Sequence, residues 1–288
     1  MNMEIKSSTR EEYLRRVNVV VDYINNHLDE ELDLLMLAQK SNLSTYHFHR
    51  IMKAFLGETL GAYILRVRLE TAARLLRYSD LAIEQIAYSI GYEVPSSLSK
   101  SFKQFYNITP QEYRNNKYYQ IMKPIQINPD LNLKSPKVIE LPTKKAIYIH
   151  FTGAYAEIDF GGAWSRLWKY VKENKLFSAG IEHISLYHDD PKVTTSDKLR
   201  TDICLVLPKP AEPRGEIGVK EIPGGKYAVF LYQGPYTNLG IVYDTIFAQW
   251  LPDCGYELRN ASVFEKYIND PSRTEEQKLK TEIYIPLQ

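Results

Sequence analysis

The sequence is poor in most features that announce a function by themselves. Its 288 residues hold two cysteines, Cys204 and Cys254, with no CxxC pair and no histidine beside either. A zinc site or disulfide framework is therefore not expected, and the chain reads as a protein of the reducing cytoplasm. No apolar run approaches the roughly 20 residues that cross a bilayer, and the opening MNMEIKSSTREEY is too polar for a signal peptide. No membrane partner is expected. Gly-rich phosphate loops, metal-ligand spacing and an activated nucleophile are missing too, so catalysis, a cofactor and a bound metal are not expected. Even net charge is slight, at +1.

What is present is a pattern written twice. LAQKSNLSTYHFHRIMKAFLGETLGAY (Leu37–Tyr63) is answered by IAYSIGYEVPSSLSKSFKQFYNITPQEY (Ile86–Tyr113). Each copy reads as a short amphipathic helix, a turn and a second amphipathic helix, the form of a reader of duplex DNA. The two motifs span about 34–56 and 83–106. Charge agrees with the pattern. From Lys40 to Gln120 there are eleven Lys/Arg against six Asp/Glu, whereas the rest of the chain from Ile121 carries 21 of each. The positive field sits on the repeat, where phosphate attraction needs it.

Helical spacing turns Phe48, Met52 and Phe55 inward on the first reading helix, leaving Tyr46, His47, His49, Arg50 and Lys53 outward. On the second, Leu98, Phe102 and Phe105 turn inward, leaving Ser96, Ser97, Ser99, Lys100 and Lys103 outward. Arg50 suits the forked contact to guanine, Lys100 a base or phosphate, and the serines either. Asn42 and Gly91 occupy the two turns, where a left-handed backbone is needed. Ser44 is placed to cap the first reading helix, and Glu93 or Ser96 the second. Between them Thr59–Ser79 forms one amphipathic helix of ~31 Å, at ~1.5 Å per residue. That is close to the ~34 Å between successive major-groove faces, so one chain can address two adjacent major-groove segments.

These residues carry a resemblance. Leu37–Asn116 resembles the AraC/XylS-type DNA-binding domain, through LAQKSNLS, HFHRIMKAFLGETLGAYILRVRLETAARLL and IAYSIGYEVPSSLSKSFKQFYNITPQEYR. The resemblance implies base contacts at Tyr46, His49, Arg50, Ser96 and Lys100. Asn42 and Asn107 depart from the glycines usual there, and both tolerate the same backbone.

The segment 119–136, with Pro124, Pro129 and Pro136 in or beside it, reads as a linker between a domain over 9–118 and another over 137–288. Beyond it the pattern alternates, in AIYIHF, DICLVL, YAVFLY and EIYIPL, and it repeats. Glu140–Tyr155 aligns with Glu221–Tyr236 at an offset of 81, and Leu199–Leu207 with Leu279–Leu287 at 80. Helical stretches around Gly162–Glu173 and Leu239–Trp250 lie between. The expected fold is thus an all-helical double helix-turn-helix domain followed by a pseudo-twofold α+β domain. The latter holds two strand-helix-strand-strand repeats, with sheets and helices framing a cleft.

This half is similar to the GyrI-like effector-binding domain that follows such a DNA-binding domain in Rob-type regulators. The resemblance implies a small-molecule effector and an acidic residue on the last strand at the base of an aromatic pocket, a position that matches Glu282. Glu282 also stands out directly, as a carboxylate in an apolar strand that a cation sandwiched by aromatics would pair. Trp164, Trp168, Tyr148, Tyr155, Tyr232 and Tyr284 are the candidate walls. Asp202, the mate of Glu282 in the repeat, is expected to be structural or exposed. The expected function is an effector-controlled transcription regulator, an activator, with RNA polymerase as a further candidate partner. The alternatives are that the aromatics are core, that the second domain binds a protein, or that a Tyr155–Glu282 acid/base pair hydrolyses a small molecule.

Overall fold

Apolar residues at helical spacing give, among the described residues of the first half, the helices α1 (Thr9–Asn26), α2 (Leu34–Lys40), α3 (Thr45–Leu56), α4 (Leu60–Tyr78), α5 (Ile83–Ser89), α6 (Pro95–Tyr106) and α7 (Pro110–Asn115). The structure, a computed structural model, describes residues 9–116, 126–128 and 130–288. Most of the expected linker's first part, 119–125 and 129, falls outside the described residues. The chain divides into two units, Met1–Tyr119 with Pro213–Gly218, and Gln120–Glu212 with Val219–Gln288.

In the first unit, Val17, Val20, Val21 and Ile24 of α1 close over Leu37, Ala38, Phe48 and Met52 of the first motif and over Leu60, Tyr63 and Val67 of α4. The far end of α4 buries Leu69, Ala72, Leu75 and Leu76, and the second motif buries Ile86, Ala87, Leu98 and Phe102. The connecting helix is therefore the shared wall of both motifs. It runs 19 residues with Thr59 as N-cap and Ser79 as C-cap, a rise of about 28 Å. Buried Arg66 on α4 holds Glu58, in the turn after α3, at 2.8 Å, and Glu70, one turn along α4, at 3.0 Å. A buried guanidinium needs such partners, and this one fixes the end of α3 against α4.

The turns separate two demands. Asn42 (φ 52°) and Asn107 (φ 57°) adopt the left-handed backbone, as Asn can. Gly91 (φ 79°) has less room: a Cβ there would lie 2.4 Å from the Leu28 carbonyl oxygen and 2.3 Å from Arg68 Nη2. Asparagine would satisfy the dihedral at Gly91 and still collide with backbone.

The second unit holds β1 (Lys137–Leu141), β2 (Lys144–Thr152), α8 (Phe160–Glu173), β3 (Glu182–Tyr187), β4 (Arg200–Val206), β5 (Gly218–Ile222), β6 (Gly225–Gln233), α9 (Leu239–Thr245), β7 (Val263–Tyr267) and β8 (Lys280–Pro286). All eight strands join one sheet in the order β1-β6-β8-β7-β3-β4-β2-β5. The expectation of separate sheets is corrected: the halves meet edge to edge through antiparallel β3 and β7, with Ser185 opposite Glu265. Each half also carries one strand more than expected, β1 or β5, ahead of its helix. Helix α8 starts at Asp159, whose carboxylate accepts from Gly162 N at 2.8 Å. Helix α9 is short and passes into a π turn, Ile246–Trp250.

Alternation along the strands sorts the side chains into two faces. One carries Ala146, Tyr148, Ile184, Leu186, Cys204, Val206, Tyr227, Phe264 and Tyr284 in a single apolar cluster. The other carries Ile147, Ile149, Ile203, Leu205, Phe230 and Ile283, buried on the side where α8 meets β2 and β4 and Trp250 meets Phe230. Every residue of β4 is buried, so both faces of the sheet are covered at its middle.

Candidate DNA-reading helices and effector site

On α3, Phe48 and Met52 are buried and Phe55 half-buried, which leaves His47, His49, Arg50 and Lys53 exposed. The side chain of Tyr46 lies outside the described residues. On α6, Leu98 and Phe102 are buried, while Ser96, Ser97, Lys100 and Lys103 are exposed and Ser99 is half-buried. Phe105 does not turn inward. It is 43% exposed, and its neighbour Tyr106 takes the buried position, edge-on to Phe105 and tilted on Phe102. The start of α6 also differs from expectation: Val94 is the N-cap and Pro95 the first helical residue, where its fixed φ is an asset. Neither Glu93 nor Ser96 caps it, so Ser96 and Ser97 fall in the first turn. Ser44 does precede α3 as its N-cap, though without a side-chain hydrogen bond.

In the second unit the acidic aromatic site is built on Glu265. This carboxylate stands mid-strand on β7, 2% exposed, on the face that Trp164 of α8 approaches. Its Oε2 accepts from Tyr187 Oη at 3.1 Å and Tyr267 Oη at 2.9 Å, and the two phenols lie 3.2 Å apart. Tyr243 of α9 brings a third phenol near the carboxylate without an aligned hydrogen bond to it. Tyr155 stands edge-on to Tyr187 at 4.9 Å, Tyr236 edge-on to Tyr267 at 5.4 Å, and Trp164 edge-on to Tyr267 at 6.2 Å. Among the described residues no Lys, Arg or His forms an ion pair with Glu265. Burial dominates its titration and raises it to about 7, against the lowering effect of the Tyr267, Tyr187 and Tyr243 hydroxyls. The same burial, with Glu265 beside them, holds the Tyr187, Tyr243 and Tyr267 phenols protonated far above their usual range, and Tyr236 to about 12.

Of the aromatics singled out in the sequence, Tyr155 and Trp164 join this cluster. Tyr155 is set by its hydroxyl, which donates to the Asp189 carbonyl oxygen at 2.8 Å, beside the buried Asp189–Arg200 pair. Trp168 stands back from it and donates Nε1–H to His183 Nε2 at 3.0 Å. Burial lowers the His183 titration, which keeps that nitrogen free to accept. Tyr232 is core, its hydroxyl turned to the Pro235 carbonyl oxygen.

Glu282 is not at the base of this cluster. On β8 it is Ile283 that joins the helix-side face, so Glu282 points to the opposite one, where its Oε2 accepts from Tyr284 Oη at 2.7 Å. Tyr284 and Tyr148 are on that opposite face too, Tyr284 stacked on Phe264 and Tyr148 beneath the Lys220 ammonium. Both are buried in the packing of that face, away from the Glu265 cluster. Asp202, fully buried there, holds His150 Nδ1 and His188 Nε2 at 2.6 Å each, and Lys220 as well. His188 in turn contacts Ser262 Oγ at 2.8 Å. Serine, imidazole and carboxylate follow in the order of a hydrolytic relay. Here Lys220 and His188 share one carboxylate oxygen, so the carboxylate's charge is already met by an ammonium, and the group reads as a buried ionic brace.

Sequence reasoning missed Glu265, Tyr187, Tyr243 and Tyr267. The signal was present: HISLY (183–187) and VFEKY (263–267) align at the same offset of 80, with Tyr187 answering Tyr267 and Ser185 answering Glu265.

Comparison with known proteins agrees with this division. Residues 134–288 match the family model of the GyrI-like small molecule binding domain, and residues 37–116 match that of a helix-turn-helix domain. The chain is similar to the probable transcription factor PqrA of Proteus vulgaris, 34% identical over 35% of this chain and 84% of that one. It is similar to the regulatory protein SoxS of Salmonella typhimurium, 32% identical over 34% of this chain and 92% of that one. The regulatory protein PocR of the same organism is 38% identical over 32% of this chain, and the match spans only 30% of PocR.

Proposed function

Because the chain belongs to the AraC-type helix-turn-helix regulators that carry a GyrI-like small-molecule-binding domain, we propose that it is an activator whose DNA binding is controlled by a small amphipathic cation held over Glu265. One observation carries the effector reading: a carboxylate buried on a helix-covered face, ringed by tyrosines and with no cationic partner among the described residues. Burying an unpaired carboxylate is expensive, and the group escapes by keeping its proton. A cation between aromatic walls offers the other escape, through charge and cation–π attraction together. The two halves act as pseudo-twofold copies, with the site where β3 meets β7.

At the other end of the chain, α3 and α6 enter two adjacent major-groove segments, about one helical turn apart, as the about 28 Å of α4 suits. Arg50 and Lys100 read bases; Ser96, Ser97, Ser99, Lys53 and Lys103 contact phosphates or bases, and His49 and Tyr46 border the same groove. RNA polymerase is the partner an activator needs. Communication with the linker starts at α9. Tyr243 borders the carboxylate, and the next residue, Asp244, accepts from the Gln126 backbone N–H at 2.7 Å and pairs with Lys192 at 2.9 Å.

The test is a thermal-shift series of the full chain with amphipathic amines, beside Glu265→Gln and Glu282→Gln. Stabilisation by a cation that survives in the Glu282 variant and fails in the Glu265 variant supports the reading, since a true ligand raises stability by mass action. Equal stabilisation of all three proteins refutes it.

A further inference from the structure

The hydroxyl groups around Glu265 ask more of a ligand than positive charge. Ser185 sits directly across the β3–β7 pairing from Glu265 and is fully buried, yet its Oγ makes no aligned hydrogen bond among the described residues. It lies near the Tyr267 hydroxyl without aligning to it. Among the described residues the buried hydroxyls of Tyr236 and Tyr243 likewise have no aligned hydrogen bond, although that of Tyr243 lies beside Glu265. Flanking this centre, Thr201 stands opposite Tyr187 and Thr281 opposite Tyr267, both fully buried and both with an Oγ1 lacking a hydrogen bond. Buried hydroxyls in native proteins nearly always find partners, and several orphans around one carboxylate call for an explanation by what binds there.

The arithmetic of donors and acceptors is specific. Tyr187 and Tyr267 spend their protons on Glu265 Oε2. Oε1 accepts no aligned hydrogen bond from the described residues and is left for a donor. Ser185, Tyr236 and Tyr243 each retain one proton to give, so the site offers one strong acceptor beside three donors. A quaternary ammonium or a plain hydrocarbon cation can satisfy neither kind.

Resting on the reading that Glu265 binds a cation, we propose that the ligand is a protonated amine that keeps its N–H bonds and carries an oxygen or nitrogen acceptor close by, as an amino alcohol or amino ketone does. Its ammonium donates to Glu265 Oε1, and its neighbouring acceptor takes the proton of Ser185 or Tyr243. The aromatic rings then cover its apolar remainder.

Three probes isolate the terms: 2-amino-1-phenylethanol, its N,N,N-trimethyl derivative, and 2-phenylethylamine. Binding to the full chain is followed by calorimetry and by quenching of tryptophan fluorescence, since Trp164 borders the cluster. The amino alcohol should bind about ten-fold more tightly than either of the others, the size of one well-made hydrogen bond to a charged or buried group. Ser185→Ala, or Tyr243→Phe if the first variant folds poorly, should shrink that preference several-fold. Equal binding of all three probes, weakened alike by Glu265→Gln, overturns this proposal and leaves the cation reading standing. Failure of every probe to bind, with Glu265→Gln unchanged from the parent, overturns both.

Discussion

Exchanging Glu265 for glutamine should make the protein more stable, and by an amount that depends on pH. The carboxyl titrates at about 7 in the folded state against 4.5 for an unperturbed group. A folded pKa above the unfolded one means that the native state holds its proton more tightly. The contribution of this group to stability is therefore most favourable below pH 4.5, falls as pH rises through the window from about 4.5 to 7, and levels off above it. At 1.36 kcal/mol per unit, the ionised carboxylate costs the folded domain about 3 kcal/mol at pH 8. Glutamine keeps an acceptor for Tyr187 and Tyr267 and cannot ionise. The variant's advantage should be close to zero near pH 4.5 and grow to about 3 kcal/mol by pH 8, or ~6–12 °C in the midpoint for a domain of this size. Tryptophan fluorescence isolates the relevant transition, because all three tryptophans, Trp164, Trp168 and Trp250, lie beyond the linker. A gap independent of pH, or a parent more stable than the variant at pH 8, would refute the account of Glu265 as an unpaired buried carboxylate.

Arg50→Ala should weaken specific DNA binding by at least ten-fold in a gel-shift titration with selected DNA, with effector affinity unchanged; intact binding would remove α3 as a base reader. Gly91→Ala should destabilise the helical unit by several kcal/mol, read by denaturant unfolding, whereas Asn42→Gly should change stability little, since only Gly91 abuts the Leu28 carbonyl. Asp244→Ala should leave effector binding within about two-fold by calorimetry and abolish the effector's influence on DNA binding; an unchanged response would mean that Asp244 plays no part in coupling.

The helical half was readable because each helix has one wet face. A period of 3.6 then separates buried Phe48 and Met52 from exposed His47, His49, Arg50 and Lys53 on α3, and the repeat locates both turns. Phe105 misled because helical spacing from Leu98 and Phe102 admits either Phe105 or Tyr106 at the inner edge, and only packing chooses between them: it is Tyr106 that tilts onto buried Phe102. The sheet was readable in its alternating strands but not in its faces. When both sides of a strand are covered, as along β4, apolar residues occupy both parities and alternation no longer says which side is which. Glu282 and Glu265 are each the one carboxylate of their strand. Their parity relative to α8 and α9 separates them, and that is a property of the folded sheet.

The pairing of Ser185 with Glu265 has one more consequence. A cleft made by two identical halves would admit an unsymmetrical guest in either of two orientations, each as good as the other, and would average whatever the guest had to say. With a carboxylate on one strand and a hydroxyl on its partner, the socket has a polarity. If Glu265 holds a cation as proposed, the charged head of the guest lies over β7 and its tail over β3, so the helices on that face are addressed by different ends of the same molecule. On the proposed reading, the difference between Ser185 and Glu265 across one strand pair gives the sheet a direction, and a direction is what a sensor would need to convert occupancy into a one-way signal.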